Sequence, residues 1–307
     1  MIPTLRKETR LSPYSKLQNA FYTNGVWSID CFDGVYANQE QLFIEVPDGN
    51  SLESIEIVYQ INAACAAPSI HINVGKNSTL SVRERISSRS SASINSTRLV
   101  SVKEEGSFSH SLLEPFLPNI ESEFHFSAFL EKEAALSCVS ATALPVSKKT
   151  SVISLEGESS SADLKALSLA GKEREHENSV SIEHKGEKSS SSQLFKSVVA
   201  GSSSVESLVN VRAQKSKSQQ LSRFLVVDDR AKTSNKPYLN VFADDVEATH
   251  GATTGELESE ALWYLKSRGL SEKEARSLCV RGFCAEIMEL FPDKNSLEKA
   301  LEEMLNA

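Results

Sequence analysis

The sequence predicts a mainly β protein whose chain ends in a small α-helical domain. Short stretches of alternating apolar and polar residues recur from about residue 54 to residue 243, and this period of two is typical of strands with one buried face. A helical period becomes strong only after about residue 256. The 9 prolines and 13 glycines are too few to form a tight turn between so many strands. A sandwich, a barrel and a β-helix all fit these strands, and the β-helix is favoured because its coils need fewer tight turns.

The first 50 residues are predicted to form a separate N-terminal segment. Their pattern is mixed: a short helix is predicted from about Ser15 to Phe21, and strand-like stretches follow at Val26–Ile29 and Leu42–Val46. The main β-structure is expected over residues 51–250, where regular alternation replaces the mixed signals.

Residues 51–250 are rich in serine, which occurs in clusters such as Ser159–Ser161 and Ser189–Ser192. Serine-rich composition is also common in disordered segments. Here, however, apolar residues alternate with polar ones through the same region, as in Ile70–Val74 and Val180–Glu183. The serines are therefore interpreted as the polar half of strands and turns.

The C-terminal residues 251–307 are predicted to form the helical domain. A first helix beginning near Glu256 carries its apolar side chains on one face and ends before Gly269, a residue type favoured just after helix ends. Ser271 is a good N-cap for a second helix, and Glu274, three residues later, completes a capping box. A third helix is predicted from about Ser296 through Met304.

Charge and hydropathy narrow the classes of partner and compartment. The formal net charge of -8 argues against nucleic acid or an anionic membrane surface as the main partner. The sequence has no apolar run long enough to cross a membrane and no apolar N-terminal signal region. Neither a membrane span nor export is therefore predicted, and a cytoplasmic protein is expected.

The five cysteines are scattered, and none forms a CxxC pair. This indicates neither a disulfide framework nor a cysteine-rich zinc site, and it agrees with reduced thiols in the cytoplasm. Cys279 and Cys284 lie on neighbouring faces of a predicted helix and are expected to pack in a core rather than bind metal. Cys31, Cys65 and Cys138 are interpreted as ordinary small apolar residues.

The sequence contains none of the common catalytic signatures. It has no HExxH pair, no GxxxxGK[ST] phosphate loop, no GxGxxG and no GxSxG nucleophile elbow. Two pairs of adjacent acids, Asp228 with Asp229 and Asp244 with Asp245, would suit a glycosidase or lyase built on a β-helix. Adjacent aspartates are more often turn residues that bond their own backbone. A polysaccharide-acting enzyme is therefore kept as the alternative function, and a protein that is not an enzyme is preferred.

His250 has the most informative surroundings among the six histidines. It lies where the last strands give way to the helical domain, and its small neighbours Thr249 and Gly251 would leave an imidazole nitrogen accessible. Imidazole is a common metal ligand, yet from the residues alone a lone histidine is more often structural. Both roles therefore stay open at this point.

The sequence around His250 resembles a known family. The stretches Ala243–Val246, Thr249–Thr253 and Ala261–Gly269 closely resemble SufD subunits, which belong to the SufB/SufD family of the SUF iron–sulfur cluster assembly system. The resemblance continues through Gly282–Glu286. It is strong over about residues 180–290 and looser before them.

This resemblance implies a specific architecture and specific partners. It implies a right-handed parallel β-helix core with a C-terminal α-helical domain. It also implies pairing with a homologous SufB-like subunit and docking of a SufC-like ABC-type ATPase on the helical domain. In the family's proposed mechanism, the ATPase drives a rearrangement that exposes a cluster-building site between two β-helices. The family histidine proposed as a cluster ligand there matches His250, and neutral imidazole is a known ligand of iron.

Within the family, the SufD side is favoured over the SufB side. A SufB-like chain would carry a scaffold cysteine in its late strands, and this chain has no cysteine between Cys138 and Cys279. The stretch Thr249–Thr253 is also nearer the SufD pattern. The chain is shorter than typical family members, so residues 1–50 are interpreted as a reduced N-terminal segment.

The sequence therefore predicts a non-catalytic scaffold subunit that acts in a complex with these two partners. His250 is the predicted metal ligand for a transient iron–sulfur cluster shared with the partner subunit, and the residues leave open whether the complex also holds a reduced flavin. Unpaired strand edges at the end of a β-helix also predict a homodimer of the isolated chain. The residues predicted to contact the ATPase are Tyr264, Leu265, Arg268, Gly269 and Phe283.

Overall fold

The computed structural model describes residues 18–23, 26–29, 35–37, 41–61, 64–88 and 91–306. The strands in these ranges are β1 Gln18–Thr23, β2 Val26–Ile29, β3 Val35–Ala37, β4 Gln41–Val46, β5 Ser51–Ile61, β6 Cys65–Ala66, β7 Ser69–Val74, β8 Thr79–Ser88, β9 Ala92–Val102, β10 Ser107–Glu114, β11 Ile120–Leu130, β12 Ala135–Thr142, β13 Val146–Leu155, β14 Ser161–Ala170, β15 Glu175–His184, β16 Ser190–Val199, β17 Ser202–Val211, β18 Lys217–Val226, β19 Lys232–Val241 and β20 Glu247–Gly255. The helices are α1 Ser259–Ser267, α2 Glu272–Met288 and α3 Lys294–Asn306.

The strands wind into a parallel β-helix of about seven turns. Sheet A runs in the order β2-β1-β5-β8-β10-β12-β14-β16-β18-β20, and sheet B runs in the order β19-β17-β15-β13-β11-β9-β7-β4-β3. Each coil contributes one strand to each sheet, and each strand pairs in parallel with the strand of the next coil. Antiparallel pairing occurs at the start, between β1 and β2 and between β3 and β4. The predicted mainly β fold, with a parallel β-helix and C-terminal helices, is confirmed.

The interior of the β-helix is lined by every second residue of each strand. In β9 and β11, for example, buried and exposed positions alternate along the whole strand, as a period of two requires. The coils differ in length, since paired residues are offset by 26 positions between Leu136 and Ala162 and by 30 between Ser218 and Ala248. This variation explains why the sequence shows no strict repeat.

The turns from sheet B to sheet A show how a chain with few glycines can form so many coils. Six successive turns each place a residue other than glycine in the left-handed region, at φ values between 52° and 59°. Polar side chains tolerate this region best, and single residues adopt it at modest energetic cost. Glycine is needed where coils touch at the same corner, because a Cβ on Gly186 would lie 2.0 Å from the carbonyl oxygen of Gly157. The six turn residues are Asn77, Glu105, Glu133, Ser159, Lys188 and Lys215.

The N-terminal segment differs from its prediction. The predicted helix is wrong over residues 18–21, because Gln18–Thr23 forms strand β1 and pairs in parallel with β5, with Gln18 opposite Ile55. Residues 15–17 of that prediction lie outside the described residues. Pairing with an existing sheet edge outweighs the weak local preference of a short segment. The structure thus extends the β-helix towards the N-terminus with β1.

The three helices form a compact unit on the outer face of sheet A. Ser271 caps α2 in the predicted capping box: its hydroxyl accepts the backbone N–H of Glu274, and the Glu274 carboxylate accepts the backbone N–H of Ser271. Gly269 follows α1 with a φ of 96°. Cys284 is buried in the core of this unit as predicted, while Cys279 is only half-buried. None of the three helices is long and apolar enough to cross a membrane.

Candidate interface site at the open end of the β-helix

The last coil of the β-helix has an exposed end. Strands β19 and β20 are the terminal strands of sheets B and A, so each has one hydrogen-bonded neighbour. Helices α2 and α3 pack against β14 in the middle of sheet A and leave the last coil uncovered. Most residues of both terminal strands are consequently exposed or half-buried. Unpaired strand edges of this kind are templates for pairing with another chain.

His250 lies at the end of an inward-facing column of side chains. Strand β20 pairs with β18 so that His250 is beside Gln220, which in turn is beside Gln193 in β16. Gln220 is only 3% exposed because it faces the interior, and parallel register places His250 on the same face. Its imidazole is nevertheless exposed, since β20 is the terminal strand. No hydrogen-bond partner of His250 occurs among the described residues.

The interior directly behind His250 is polar. The Ser207 hydroxyl donates to Gln193 Oε1 at 2.6 Å, and Gln220 Nε2 donates to Ser207 Oγ at 2.8 Å and to the Tyr238 carbonyl at 3.3 Å. Gln193 Nε2, Gln220 Oε1 and Ser222 Oγ are buried without a partner in the described part of the chain. Buried polar atoms are normally paired. The coil behind His250 therefore has more buried polar atoms without a hydrogen-bond partner than an ordinary protein interior.

Large apolar side chains surround this end. Tyr238 and Val241 of β19 are exposed, and Phe242, directly after β19, is 61% exposed. The Arg212 guanidinium lies over the Phe242 ring, 4.6 Å from its centroid. Exposed apolar groups beside unpaired strand edges indicate a surface that another protein covers. We call β19, β20 and the residues 242–246 between them the open end.

The paired aspartates do not form a catalytic pair across the open end. Asp228 lies between β18 and β19, where its carboxylate accepts the backbone N–H of Arg230 at 2.9 Å. Asp244 and Asp245 lie between β19 and β20. The whole of β19 separates the two pairs, and a ten-residue strand spans about 33 Å. Glycosidase carboxylates act within about 10 Å of each other. The structure therefore does not bring the two pairs together, and Asp228 is occupied as a turn residue.

The residues predicted to contact an ATPase fall into two places. Tyr264 and Arg268 are exposed at the end of α1, with the guanidinium 5.3 Å from the ring centroid of Tyr264. Leu265 is half-buried beside them, and Gly269 is exposed just after α1. Phe283 is half-buried on α2, and its ring lies 5.3 Å from Lys196 Nζ of β16. Four of the five residues thus share a surface, and Phe283 faces the β-helix instead.

Sequence reasoning missed other exposed apolar residues of the helical domain. Trp263 is 73% exposed on α1, and Leu278 and Leu290 are exposed at and after α2. Such residues lie outside the apolar stripe that faces a core. An apolar side chain off the stripe is the signal that would have identified them, and Trp263, next to Tyr264, enlarges the exposed surface of α1.

The described residues do not form a complete metal site. No group of three or more histidine, cysteine, aspartate or glutamate side chains in them is placed to hold a metal ion. Cys65, Cys138, Cys279 and Cys284 are free thiols, and Cys31 lies outside the described residues. Burial raises the pKa of the Cys284 thiol to about 12 and also raises the pKa of Cys138. Both thiols therefore stay protonated near neutral pH, and a protonated thiol binds metal ions poorly. A metal at His250 would therefore need further ligands from outside the described residues.

Comparisons with known proteins give the same family over most of the chain. The family model described as SUF system FeS cluster assembly, SufBD core domain, matches residues 57–283. The iron–sulfur cluster assembly protein SufD of Escherichia coli is 31% identical over 151 residues, which are 48% of this chain and 36% of that protein. A SufBD family protein of Synechocystis is 42% identical over 85 residues, 28% of this chain and 19% of that protein.

A plant protein extends the set of relatives. The chloroplastic protein ABCI7 of Arabidopsis thaliana is 36% identical over 115 residues, which are 36% of this chain and 24% of that protein. The matched part of this chain thus spans well under half the length of these relatives. Because the family model covers more than two thirds of the sequence, the chain belongs to the SufBD core family of the SUF iron–sulfur cluster assembly system.

Proposed function

We propose that this chain is a SufD-like, non-catalytic scaffold subunit that assembles iron–sulfur clusters in the cytoplasm with a SufB-like subunit and a SufC-like ABC-type ATPase. Membership of the SufBD family supports the role in assembly. The similarity to SufD of Escherichia coli and the lack of a cysteine between Cys138 and Cys279 support the SufD side of the family. The separation of the two aspartate pairs by β19 supports a non-catalytic role over the enzyme alternative.

The observation that carries this proposal is the open end. Strands β19 and β20 each expose one edge, and Tyr238, Val241 and Phe242 expose apolar surface beside them. A second β-helix with a similar end would cover the apolar groups and pair with the strand edges in one contact. A homologous SufB-like subunit has this shape by descent. The same edges support homodimer formation when the chain is isolated.

His250 supports a ligand role at this interface. Its imidazole is exposed at the end of the inward column, without a hydrogen-bond partner among the described residues, so a nitrogen lone pair is accessible. Imidazole binds iron, and iron–sulfur clusters accept histidine in place of cysteine. The partner subunit supplies the thiolates, because none of the four cysteines in the described residues lies beside His250. The proposed cluster is transient and shared with the partner subunit, and the proposal does not include a reduced flavin, whose presence in the complex the residues leave open.

The helical domain supports docking of the ATPase. Trp263 and Tyr264 are exposed next to Arg268 on α1, so an aromatic surface carries a positive charge at its edge. Tryptophan, tyrosine and arginine are the residue types that contribute most to binding at protein interfaces. We include Trp263 in the docking surface together with Tyr264, Leu265, Arg268 and Gly269. Phe283 faces sheet A and is left out of this surface.

The docking part of the proposal is tested by co-expression with the SufB-like and SufC-like subunits of the same host. Affinity purification of the tagged chain is expected to recover both partners. Phe242→Glu is expected to weaken binding of the SufB-like subunit by about 100-fold, as for a buried aromatic residue at an interface, while the ATPase stays bound. The matched control is Phe129→Glu, since Phe129 is 54% exposed on the outer face of sheet B. Equal losses in both variants, or recovery of the chain alone, would refute the proposal.

The ligand part is tested by His250→Ala within the purified complex. The variant is expected to assemble with both partners but to hold less iron and sulfide per complex after reconstitution. His125→Ala is the matched control, because His125 is half-buried on β11, far along the chain from the open end, and pairs with Glu123 at 3.3 Å. Unchanged iron and sulfide in His250→Ala would remove the ligand role and leave the docking role standing.

A further inference from the structure

The helical domain rests on sheet A through an apolar contact. This second core is separate from the interior of the β-helix and combines outward-facing residues of β10 to β18 with one face of α2 and one face of α3. Its sheet side includes Leu167, Leu194 and Val198, and its helix side includes Cys284, Ile287 and Leu301. A contact of this kind is non-directional, so it holds the helices without specifying one position.

Lys196 is a charged residue within this apolar face. It lies on β16 between Leu194 and Val198 on the same face of the strand, and it is only 6% exposed. Its Nζ is 2.7 Å from Glu286 Oε2 and donates to the Phe283 carbonyl at 3.0 Å. The ammonium also lies 5.3 Å from the centroid of the Phe283 ring. One lysine of the β-helix therefore makes three directional contacts with α2.

A buried ammonium specifies geometry in a way that an apolar side chain cannot. Burial of a charge is unfavourable unless its donors are matched, so only helix positions that supply these acceptors are stable. The Lys196 ammonium holds the pKa of the Glu286 carboxyl below its usual range. Moving α2 by one turn, or about 5 Å, would remove both acceptors from Lys196.

Lys165 offers a contrast on the neighbouring strand. It faces outward on β14 opposite Leu194, but it is partly exposed and its Nζ pairs with Asp163 of its own strand at 3.1 Å. Lys165 forms no hydrogen bond or ion pair with the helices among the described residues, and it reaches Glu286 of α2 only by electrostatic attraction. The two lysines of the same sheet face thus differ in burial and in direct bonding to α2, which only Lys196 makes.

The position of Lys196 connects two surfaces used by the proposed function. In sheet A, Lys196 is beside Arg223, and Arg223 is beside Thr253 in β20, the terminal strand that carries His250. On the helix side, α2 contacts α1, which carries the exposed Trp263 and Tyr264. Lys196 therefore lies between the open end and the aromatic surface of α1.

We propose that Lys196 is a positioning residue that holds the helical domain at one place on sheet A and so sets the placement of the α1 surface relative to the open end. Its contacts with Glu286 and Phe283 stand on the geometry alone. Its consequence for cluster assembly rests on the proposed function of the two surfaces. We expect motion of an ATPase docked on α1 to be transmitted to the last coils through the contact between Lys196 and α2.

The geometric part is tested by hydrogen exchange on the full chain. Lys196→Met is expected to speed amide exchange in α2 and α3 by about 10-fold to 100-fold, the effect of losing hydrogen bonds to a charged group. Amides of β11 to β15 are expected to be unchanged. Lys165→Met is the matched control, with less than about a 3-fold effect, as for an exposed ion pair. Unchanged exchange in α2 of Lys196→Met would overturn the proposal.

Two further variants keep this test decisive. Lys196→Arg retains the charge and several donors, so it is expected to restore most of the protection of α2. Glu286→Gln removes one charged partner and leaves the lysine in place, so a smaller increase in exchange confined to α2 and α3 is expected even where Lys196→Met does not fold. A uniform increase across α2 and the β-helix in Glu286→Gln would indicate general destabilisation and would refute a positioning role.

The functional part is tested in the reconstituted complex. Lys196→Met is expected to bind the ATPase within about 3-fold of the wild type, and to build clusters about 10-fold more slowly at saturating ATPase, because a positioning defect lowers turnover rather than affinity. Wild-type cluster assembly rates in Lys196→Met would overturn the functional consequence. Failure of the wild-type chain to bind an ATPase would refute the proposed function instead, and the exchange experiment would still decide the role of Lys196.

Discussion

The early and late coils of the β-helix differ in what fills them. We define the early coils as residues 41–155 and the late coils as residues 175–255. The interior of the early coils is mainly aliphatic and aromatic, with charges held in two paired clusters. Inward positions of the late coils are often serine, glutamine or histidine. The early coils thus have an apolar interior with a few paired charges, and the late coils, which end at the open end, have a more polar interior.

The charged clusters of the early coils are tightly paired. Arg98 and Glu84 are almost fully buried; Arg98 Nε donates to Glu84 Oε1 at 3.0 Å, and His110 Nε2 is 2.7 Å from the same oxygen. Burial opposes ionisation of Glu84, but Arg98 and His110 outweigh it and hold the pKa of this carboxyl well below its usual range. A second pair joins Lys149 to Glu114 at 3.0 Å. These clusters tie neighbouring coils together by specific contacts.

The interior polar groups of the late coils are neutral, and some of their buried atoms have no partner among the described residues, as is also the case for Ser54 Oγ, Arg98 Nη1 and Thr142 Oγ1 in the early coils. His184 hydrogen-bonds with the hydroxyls of Ser189 and Ser191, each at 2.8 Å. Nearer the open end, buried polar atoms of Gln193, Gln220 and Ser222 have no partner among the described residues. Neutral hydrogen bonds contribute about half as much as charged ones. The comparison teaches that charged pairs link neighbouring coils in the early part of the β-helix, whereas neutral hydrogen bonds do so in the late part.

The largest expected effect comes from breaking an early charged cluster. Arg98→Met leaves Glu84 buried without its main partner, so the free energy of unfolding is expected to fall by about 3–5 kcal/mol in urea titrations. In the late coils, Gln220→Met is expected to cost about 1 kcal/mol, since it removes neutral hydrogen bonds. The double variant Glu84→Leu with Arg98→Met is expected to recover much of the loss. A cost below 1 kcal/mol for Arg98→Met would contradict the distinction.

Lowering the pH is expected to reduce the free energy of unfolding by protonating two buried histidines. Both lie in strand β15, which belongs to the late coils. Burial lowers the pKa of His176 and of His184 to about 4 in the folded chain. Their unfolded pKa is about 6.5, so they contribute stability above that pH which is lost as the pH falls towards 4. When the pH is lowered from 7 to 5, each of these two histidines is expected to reduce the free energy of unfolding by about 1–2 kcal/mol.

The carboxylates of the early coils respond in a lower range of pH. The pKa of Glu84 and that of Glu114 are both below their usual values, so their contribution is complete above about pH 4.3 and is lost only below it. Urea unfolding at pH 7 and pH 5 measures the histidine effect without the carboxylate effect. His184→Asn is expected to reduce the change between these two pH values. An undiminished change in this variant would show that other groups cause it.

The smallest expected effect is that of removing the Ser222 hydroxyl, and Ser122 is its matched comparison. Ser122 of β11 donates to the buried Glu114 carboxylate, so Ser122→Ala is expected to cost about 1.5–3 kcal/mol of unfolding free energy. Ser222 of β18 is equally buried, but its hydroxyl has no partner within the described ranges. Ser222→Ala is therefore expected to change the free energy of unfolding by less than about 0.5 kcal/mol. Equal costs for the two variants would show that the late coils are paired as well as the early ones.

Local patterns in the sequence predicted much of the fold. Alternation predicted strands such as β7 and β15, and the Ser271 capping box located the start of α2. These signals are local, because a strand face or a helix cap depends on residues two to four positions apart. The scarcity of tight-turn residues favoured a β-helix over a sandwich or a barrel, and the family resemblance then implied a parallel β-helix specifically.

Contacts between coils could not be predicted in this way. Glu84 and Arg98 are 14 residues apart and lie in different sheets. Lys196 and Phe283 are 87 residues apart. Because the coils vary in length from 26 to 30 residues, the sequence does not show which residues of neighbouring coils lie side by side. Resemblance pointed to His250, but only the pairing of β20 with β18 shows that it lies at the end of an inward column. The helix predicted from about Ser15 to Phe21 is wrong over residues 18–21 for the same reason, because these residues pair with the edge of sheet A as β1.

The most direct test of the account is a hydrogen-exchange footprint of the chain with and without the SufB-like subunit. The central claim is that the open end is the interface with that subunit. Amides of Lys232–Gly255 are expected to become protected in the complex, while the outer face of sheet B around Leu99 and Phe129 stays unchanged. Protection confined to another face of the molecule, or no binding at all, would contradict the claim.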